Sequence, residues 1–174
     1  MATKYAALKD EEVVRMVRAS VTESGAATFT ETTIDTQLSI ERGVIWMISA
    51  VEFFQELSKH SEVGANGLET QNIQLTRESK TAIVELNDSD VIAKLQNGIY
   101  RSAAIGTDAG PLWLTWVMPV IQYFDPPLPY ASQNMYLGFQ TTAATVRSCY
   151  VRIRYTIRTV SDKYFFRVAQ ALLG

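Results

Sequence analysis

The segment Val146–Val160, VRSCYVRIRYTIRTV, decides the fold. Taken at every second residue, it separates into two faces. Cys149, Val151, Ile153, Tyr155 and Ile157 lie on one, and Tyr150, Arg152, Arg154, Thr156 and Arg158 on the other. Successive side chains of a strand point to opposite sides, so this is a long strand with an apolar face and an arginine-rich face. β-Branched and aromatic residues fill it, and neither Gly nor Pro interrupts it. A helix would scatter the arginines around its circumference.

Outward toward the C-terminus the period changes. Tyr164, Phe165, Val168, Ala169 and Leu172 recur at helical spacing behind a Ser161 or Asp162 cap, which predicts a short helix at the end of the sheet. Toward the N-terminus, Met135–Thr141 reads as a strand and DPPLPYASQ, Asp125–Gln133, as a loop. Leu112–Phe124 reads as one strand that is apolar on both faces, with Pro119 forcing an edge, a bulge or a break. A strand at Ile99–Ile105 precedes the Gly106–Gly110 turn. Asn87–Gly98 carries helix signals: an Asp88 or Ser89 cap, an apolar face of Val91, Ile92 and Leu95, and an Asn97-Gly98 stop.

Short strands are expected at Asn72–Arg77 and Thr81–Leu86, after a polar loop over 55–72. VIWMISAVEFF, Val44–Phe54, is a second doubly apolar strand, with Val44, Trp46 and Ile48 on one side and Ile45, Met47, Val51 and Phe53 on the other. A turn at Glu41–Gly43 joins it to Thr28–Ile40, whose Thr-rich alternation marks a solvated or edge strand. Residues 1–25 read as an N-terminal helix, centred on 9–19, or an extended arm. About eight strands not interleaved with helices argue against a parallel α/β fold. The expectation is one all-β domain over 1–174: a single jelly-roll β-sandwich of about eight antiparallel strands in two sheets, with two or three short helices.

A length of 174 residues suits one domain with a real core. Charged residues reach 20%, below the usual ~25%, which leans toward a protein that buries part of its exterior against copies of itself. The net charge of −2 argues against non-specific affinity of the whole chain for nucleic acid. Charge is split along the chain: residues 1–100 hold 15 acidic and 9 basic side chains, a net of −6, and residues 101–174 hold 3 and 7, a net of +4. That split suits head-to-tail contact between subunits. The single cysteine, Cys149, excludes an internal disulfide and falls on an apolar face, where a thiol is inert. The start of the chain has no signal-peptide core, and no apolar run approaches the ~18 residues of a membrane span, so a soluble, intracellularly made protein is expected.

Chemistry is sparse. His60 is the single histidine and sits in the polar segment LSKHSE, where an exposed loop residue is the ordinary reading. Metal arrangements built on several His or Cys ligands are missing. Asp88, Asp90 and Asp108 lack EF-hand spacing and read as caps and turns. Neither a phosphate-binding glycine loop nor a G-x-S-x-G elbow occurs. No catalytic, cofactor-binding or metal-binding residue is therefore assigned, and an enzyme is disfavoured. The sharper signal is surplus apolar surface. Trp113, Trp116, Met118, Ile121 and Tyr123, with Arg152, Arg154 and Arg158, are the candidate subunit-interface residues. The alternative is that helices over 9–19 and 162–173 cover that surface. The arginine face reads as solvated or subunit-facing in preference to nucleic-acid-binding.

The strand–turn–strand TIDTQLSIERGVIWMISAVEF, Thr33–Phe53, and the closing YVRIRYTIRTVSDKYFFRVAQALL, Tyr150–Leu173, resemble the single-jelly-roll major capsid proteins of icosahedral tailless prokaryotic viruses. The nearest likeness is the small coat subunit of internal-membrane viruses of thermophilic bacteria and haloarchaea, although the acidic content is lower than in haloarchaeal members. The resemblance lies in strand layout and size and transfers no site residue. It implies a virion shell protein, assembled in the host cytoplasm into capsomers above a membrane or packaged genome. Its partners would be copies of itself and, in some shells, a second coat protein; no cofactor or small-molecule substrate is expected. A carbohydrate- or protein-binding sandwich exposing Trp113, Trp116 and Tyr130 in a groove is the alternative.

Overall fold

The structure, a computed structural model, describes residues 13–38, 43–55, 67–101, 113–117 and 121–173, with the backbone alone at 113–117 and 171–173. The long arginine strand is present as β9 (Ser148–Thr159) and lies inside a four-stranded sheet of order β1 (Arg15–Thr22), β9, β3 (Val44–Gln55), β7 (Ile121–Tyr130). A five-stranded sheet has the order β2 (Thr30–Asp35), β8 (Asn134–Thr141), β4 (Gly67–Thr76), β5 (Val91–Arg101), β6 (Trp113–Val117). Every pairing is antiparallel. The chain crosses between the sheets at almost every step, and early strands lie beside late ones. This is the single jelly roll expected from the strand pattern.

Alternation explains the packing. Cys149, Val151 and Ile153 of β9 face inward and are fully buried, as are Ile73 and Leu75 of β4 and Leu137 and Phe139 of β8. These side chains interdigitate between the sheets, each contributing roughly 1.5–3 kcal/mol by leaving water. Trp46 stacks on Tyr155 with ring centroids 3.8 Å apart and planes 15° from parallel. Gly138 is where the packing leaves no room for a side chain: a Cβ there would sit 2.8 Å from the Phe29 ring.

The apolar character of β3 on both faces has two causes. A bulge between Ile48 and Ala50 shifts the register, so Trp46 and Ile48 before it and Val51 and Phe53 after it share the core face. The alternation drawn from the sequence had placed Val51 and Phe53 opposite Trp46. On the outer side, Ile45 and Met47 are covered by α1 (Asp162–Leu173), whose Phe165 and Val168 pack on them and on Ala131. Ser161 caps that helix, its carbonyl accepting from the amides of Tyr164 and Phe165 at 2.9 Å.

Several elements differ from expectation. Of the two readings of the N-terminal segment, helix or extended arm, residues 15–22 are extended and form strand β1, because β9 offers them a full ladder; residues 1–12 lie outside the described part. Asn87–Gly98 is not a helix: Asp88 holds a turn, accepting the Asp90 amide at 2.9 Å, and β5 follows. Gly67–Asn72 belongs to β4, not to a loop. Thr81–Leu86 forms no strand. Side chains take its backbone bonds instead, Gln74 donating to the Ala82 carbonyl (3.0 Å) and accepting from the Val84 amide (2.9 Å). DPPLPY is not a loop but most of β7, an edge strand, where proline's missing donor costs no ladder bond on the open side. Leu112–Phe124 is not one strand: the chain breaks between Val117 and Ile121, leaving β6 and β7 in different sheets. Among the described residues there are nine strands and one helix.

The connection 23–29 and the turn 142–147 lie at one end of the sandwich, here the upper end. The loop 77–90, the connection 131–133 and α1 lie at the lower end.

Candidate subunit interface

The outer face of the four-stranded sheet gathers five exposed large apolar side chains together with arginines. Ladder registers order it in rows. Ser20, Tyr150 and Phe54 form the uppermost; Arg18, Arg152, Glu52 and Ile121 the next; Met16, Arg154, Ala50 and Tyr123 the third. At the centre Glu52 is buried, although its strand is otherwise apolar. It accepts from Arg152 Nη1 at 3.0 Å and pairs through its other oxygen with Arg154 Nη2. One carboxylate thus serves two guanidiniums spaced two residues apart on β9, which stand side by side on the same face.

Around this centre Met16, Phe54, Ile121, Tyr123 and Tyr150 are exposed, Tyr123 to 70%. The Arg152 guanidinium lies over the Phe54 ring, 4.9 Å from its centroid. A cleft of about 430 Å³ opens at the upper edge between Arg18, Ser20, Phe54, Tyr150 and Arg152. Arg18 stands directly across the ladder from Arg152. It is exposed and makes no ion pair among the described residues. Like charges at opposed positions repel, so the row carries uncompensated positive charge.

Of the residues singled out from sequence, the structure brings together Ile121, Tyr123, Arg152 and Arg154. Arg158 is apart, at the lower end, beside Thr159, Ser161 and Tyr164. Trp113 and Trp116 lie on β6, in the other sheet, so they share no face with Ile121. Met118 and His60 fall outside the described residues. Tyr130 is fully buried and its hydroxyl donates to the Asn134 carbonyl, which removes it from any ligand groove. Sequence reading missed Glu52, Phe54, Arg18 and Met16. A signal for Glu52 was there, since a lone carboxylate inside VIWMISAVEFF needs a cation to face.

Other polar clusters hold the fold. Glu23, buried beyond β1, accepts from the Thr141 amide and hydroxyl and from the Arg147 amide, fixing the turn that leads into β9. Burial pushes the Cys149 thiol far above the ordinary range, which makes it unreactive. Among the described residues no group of His, Cys, Asp and Glu has the arrangement of a metal site, and no helix is long and apolar enough to cross a membrane.

Fold and surface together define the class: an all-β jelly-roll sandwich with an amphipathic outer sheet. No family model and no curated protein matches the chain. Among solved structures, the tailspike protein of Acinetobacter baumannii phage AM24 aligns at 9% identity over 82% of this chain and 27% of that one, with a TM-score of 0.19. The chain spans about a quarter of the tailspike chain, and so weak a likeness carries no argument.

Proposed function

We propose that this chain is a structural coat protein that self-assembles into the capsomers of a virion shell, put together in the host cytoplasm. The observation that carries the reading is the outer face of the β1–β9–β3–β7 sheet. Five exposed large apolar side chains there surround an ion-paired centre on a rigid sheet, the composition of a surface buried against other subunits. The jelly-roll strand order is compatible with this role without implying it. Copies of the chain are the first partners of this reading, with a second coat protein, an internal membrane or the packaged genome as further neighbours. It involves no cofactor and no small-molecule substrate.

The cleft walled by Phe54 and Tyr150 favours a second reading, a module that binds carbohydrate or protein through aromatic side chains. Light scattering behind a sizing column at two concentrations, with negative-stain microscopy of the eluate, separates the two. Concentration-dependent multimers, rings or shells support the coat reading. A strict monomer that binds a glycan in an array replaces it with the module.

A further inference from the structure

We infer that the Glu85–Leu86 turn of one copy docks into the Arg18–Arg152 cleft of the next, making a head-to-tail contact between copies of this chain. The inference rests on the coat reading and specifies how its subunits meet.

The turn is built to be presented. The Asp88 amide donates to the Glu85 carbonyl at 3.2 Å, which places Leu86 and Asn87 at the tip. Leu86 is 71% exposed, more than any other large apolar side chain described, and the neighbouring Glu85 and Asn87 are exposed as well. An exposed loop of this length would ordinarily be loose, yet this one is tied down along its course. Gln74 holds Ala82 and Val84, and Lys94 Nζ donates to the Val84 carbonyl at 2.6 Å. Lys80 pairs with Asp88 and Asp90, and Glu31 accepts from the Ser79 hydroxyl and the Lys80 amide. A leucine held out on a fixed turn has its ordering cost already met before it binds.

The cleft offers the complement. Arg152 shares one carboxylate with Arg154, and Arg18, directly opposite, has no ion pair among the described residues. Phe54 and Tyr150 supply apolar walls beside those cations. The site therefore lacks one carboxylate and one apolar plug, and the turn carries both in adjacent positions. The turn lies at the lower end of the sandwich and the cleft at the upper end, so a molecule cannot satisfy its own cleft. A contact between unlike patches repeats from copy to copy and closes into rings or extends into arrays.

The test is a disulfide trap in the full chain carrying Ser20→Cys and Leu86→Cys, oxidised with copper–phenanthroline. Ser20 is exposed in the cleft, and the native Cys149 is buried and does not compete. The expected result on a non-reducing gel is a ladder of covalent multimers. Each single variant alone should stay monomeric, and a mixture of the two should give a dimer and nothing larger. In solution, Arg18→Glu or Glu85→Arg should each weaken association about tenfold, and the two together in one chain should restore it. Multimers that form without a ladder, or reversals that do not rescue each other, overturn the contact while the coat reading stands. A chain monomeric at every concentration and without a ladder overturns both. Arg18-dependent binding of single-stranded oligonucleotide or heparin, again without a ladder, assigns the cleft to a polyanion and overturns the contact.

Discussion

Tyr130 follows three prolines within DPPLPY and is fully buried at the end of β7, opposite Trp46. Its hydroxyl donates to the Asn134 carbonyl at 2.5 Å, and burial pushes its pKa up to about 12. An unfolded tyrosine ionises near ~10, so the folded state holds this proton more tightly. The stability linked to Tyr130 is therefore fully present below pH ~10 and is lost as pH rises toward about 12. Tyr130→Phe should cost about 1 kcal/mol at neutral pH for the missing hydrogen bond and should flatten the alkaline decline. Urea midpoints at pH 7 and 11 for both proteins measure this. The comparison is needed because Lys80 and Tyr155 also have raised pKa values and add their own alkaline loss. Equal slopes would refute the assignment. Glu52 is the second decisive residue, and Glu52→Gln should cost about 1–3 kcal/mol, moderated because Arg152 and Arg154 are partly solvated. Adding Arg154→Gln should recover part of that loss, and additive costs in the double-mutant cycle would mean the pair is not coupled.

At the scale of elements, legibility followed the strength of the period. β9, β8 and the closing helix were readable because their apolar residues repeat cleanly at two or at three to four, and the edge strand β2 because of its threonines. Residues 91–98 were not readable as the start of β5, whose end was read from Ile99, because an aspartate bonding to an amide two residues on looks the same before a turn as before a helix. Asn97 and Gly98, which resemble a helix stop, are buried in the ladder between β4 and β6. Thr81–Leu86, expected as a strand, lies in the 77–90 loop instead, where side chains from β4 and β5 bond its backbone. That makes Gln74, fully buried on β4, the anchor of the loop. Gln74→Ala should destabilise by about 2 kcal/mol and release the Val84 amide to hydrogen exchange, well ahead of the amides of β4. The Asp88 clamp responds to acid. The amide of Asp90, and then Lys80, hold the Asp88 carboxyl below the usual range, so its contribution is present above pH ~4 and is lost as pH falls through the lowered value. The Asp90 amide resonance should report that transition, and Asp88→Asn should abolish its movement.

For the molecule as a whole, the charge split along the sequence does not survive folding. The basic strand β9 is inserted between β1 and β3, so Arg152 and Arg154 pair with Glu52 from the acidic half, and Arg18 from that same half supplies a cation with no ion pair among the described residues. What folding creates instead is one amphipathic face, legible in the sequence only through Ile121, Tyr123, Tyr150, Arg152 and Arg154, because its other members come from strands whose neighbours could not be ordered. If that face is buried between subunits, its apolar rim at Ile121 and Tyr123 is where a charge should act. Both side chains are exposed in the single chain, so Ile121→Glu with Tyr123→Glu should leave the unfolding free energy from urea titration within about 0.5 kcal/mol of the parent. The same pair should abolish the assemblies larger than those joined through the Arg18–Arg152 cleft in light scattering, since unpaired carboxylates would be desolvated in every copy of the rim contact. Salt adds a second discriminator. An apolar seam strengthens at high salt, whereas a contact resting on Arg18 and Arg152 weakens as screening sets in. Multimers that keep their full size in the double variant at low salt and dissolve at high salt would mean that the arginine cleft carries assembly alone, with the β7 rim outside it.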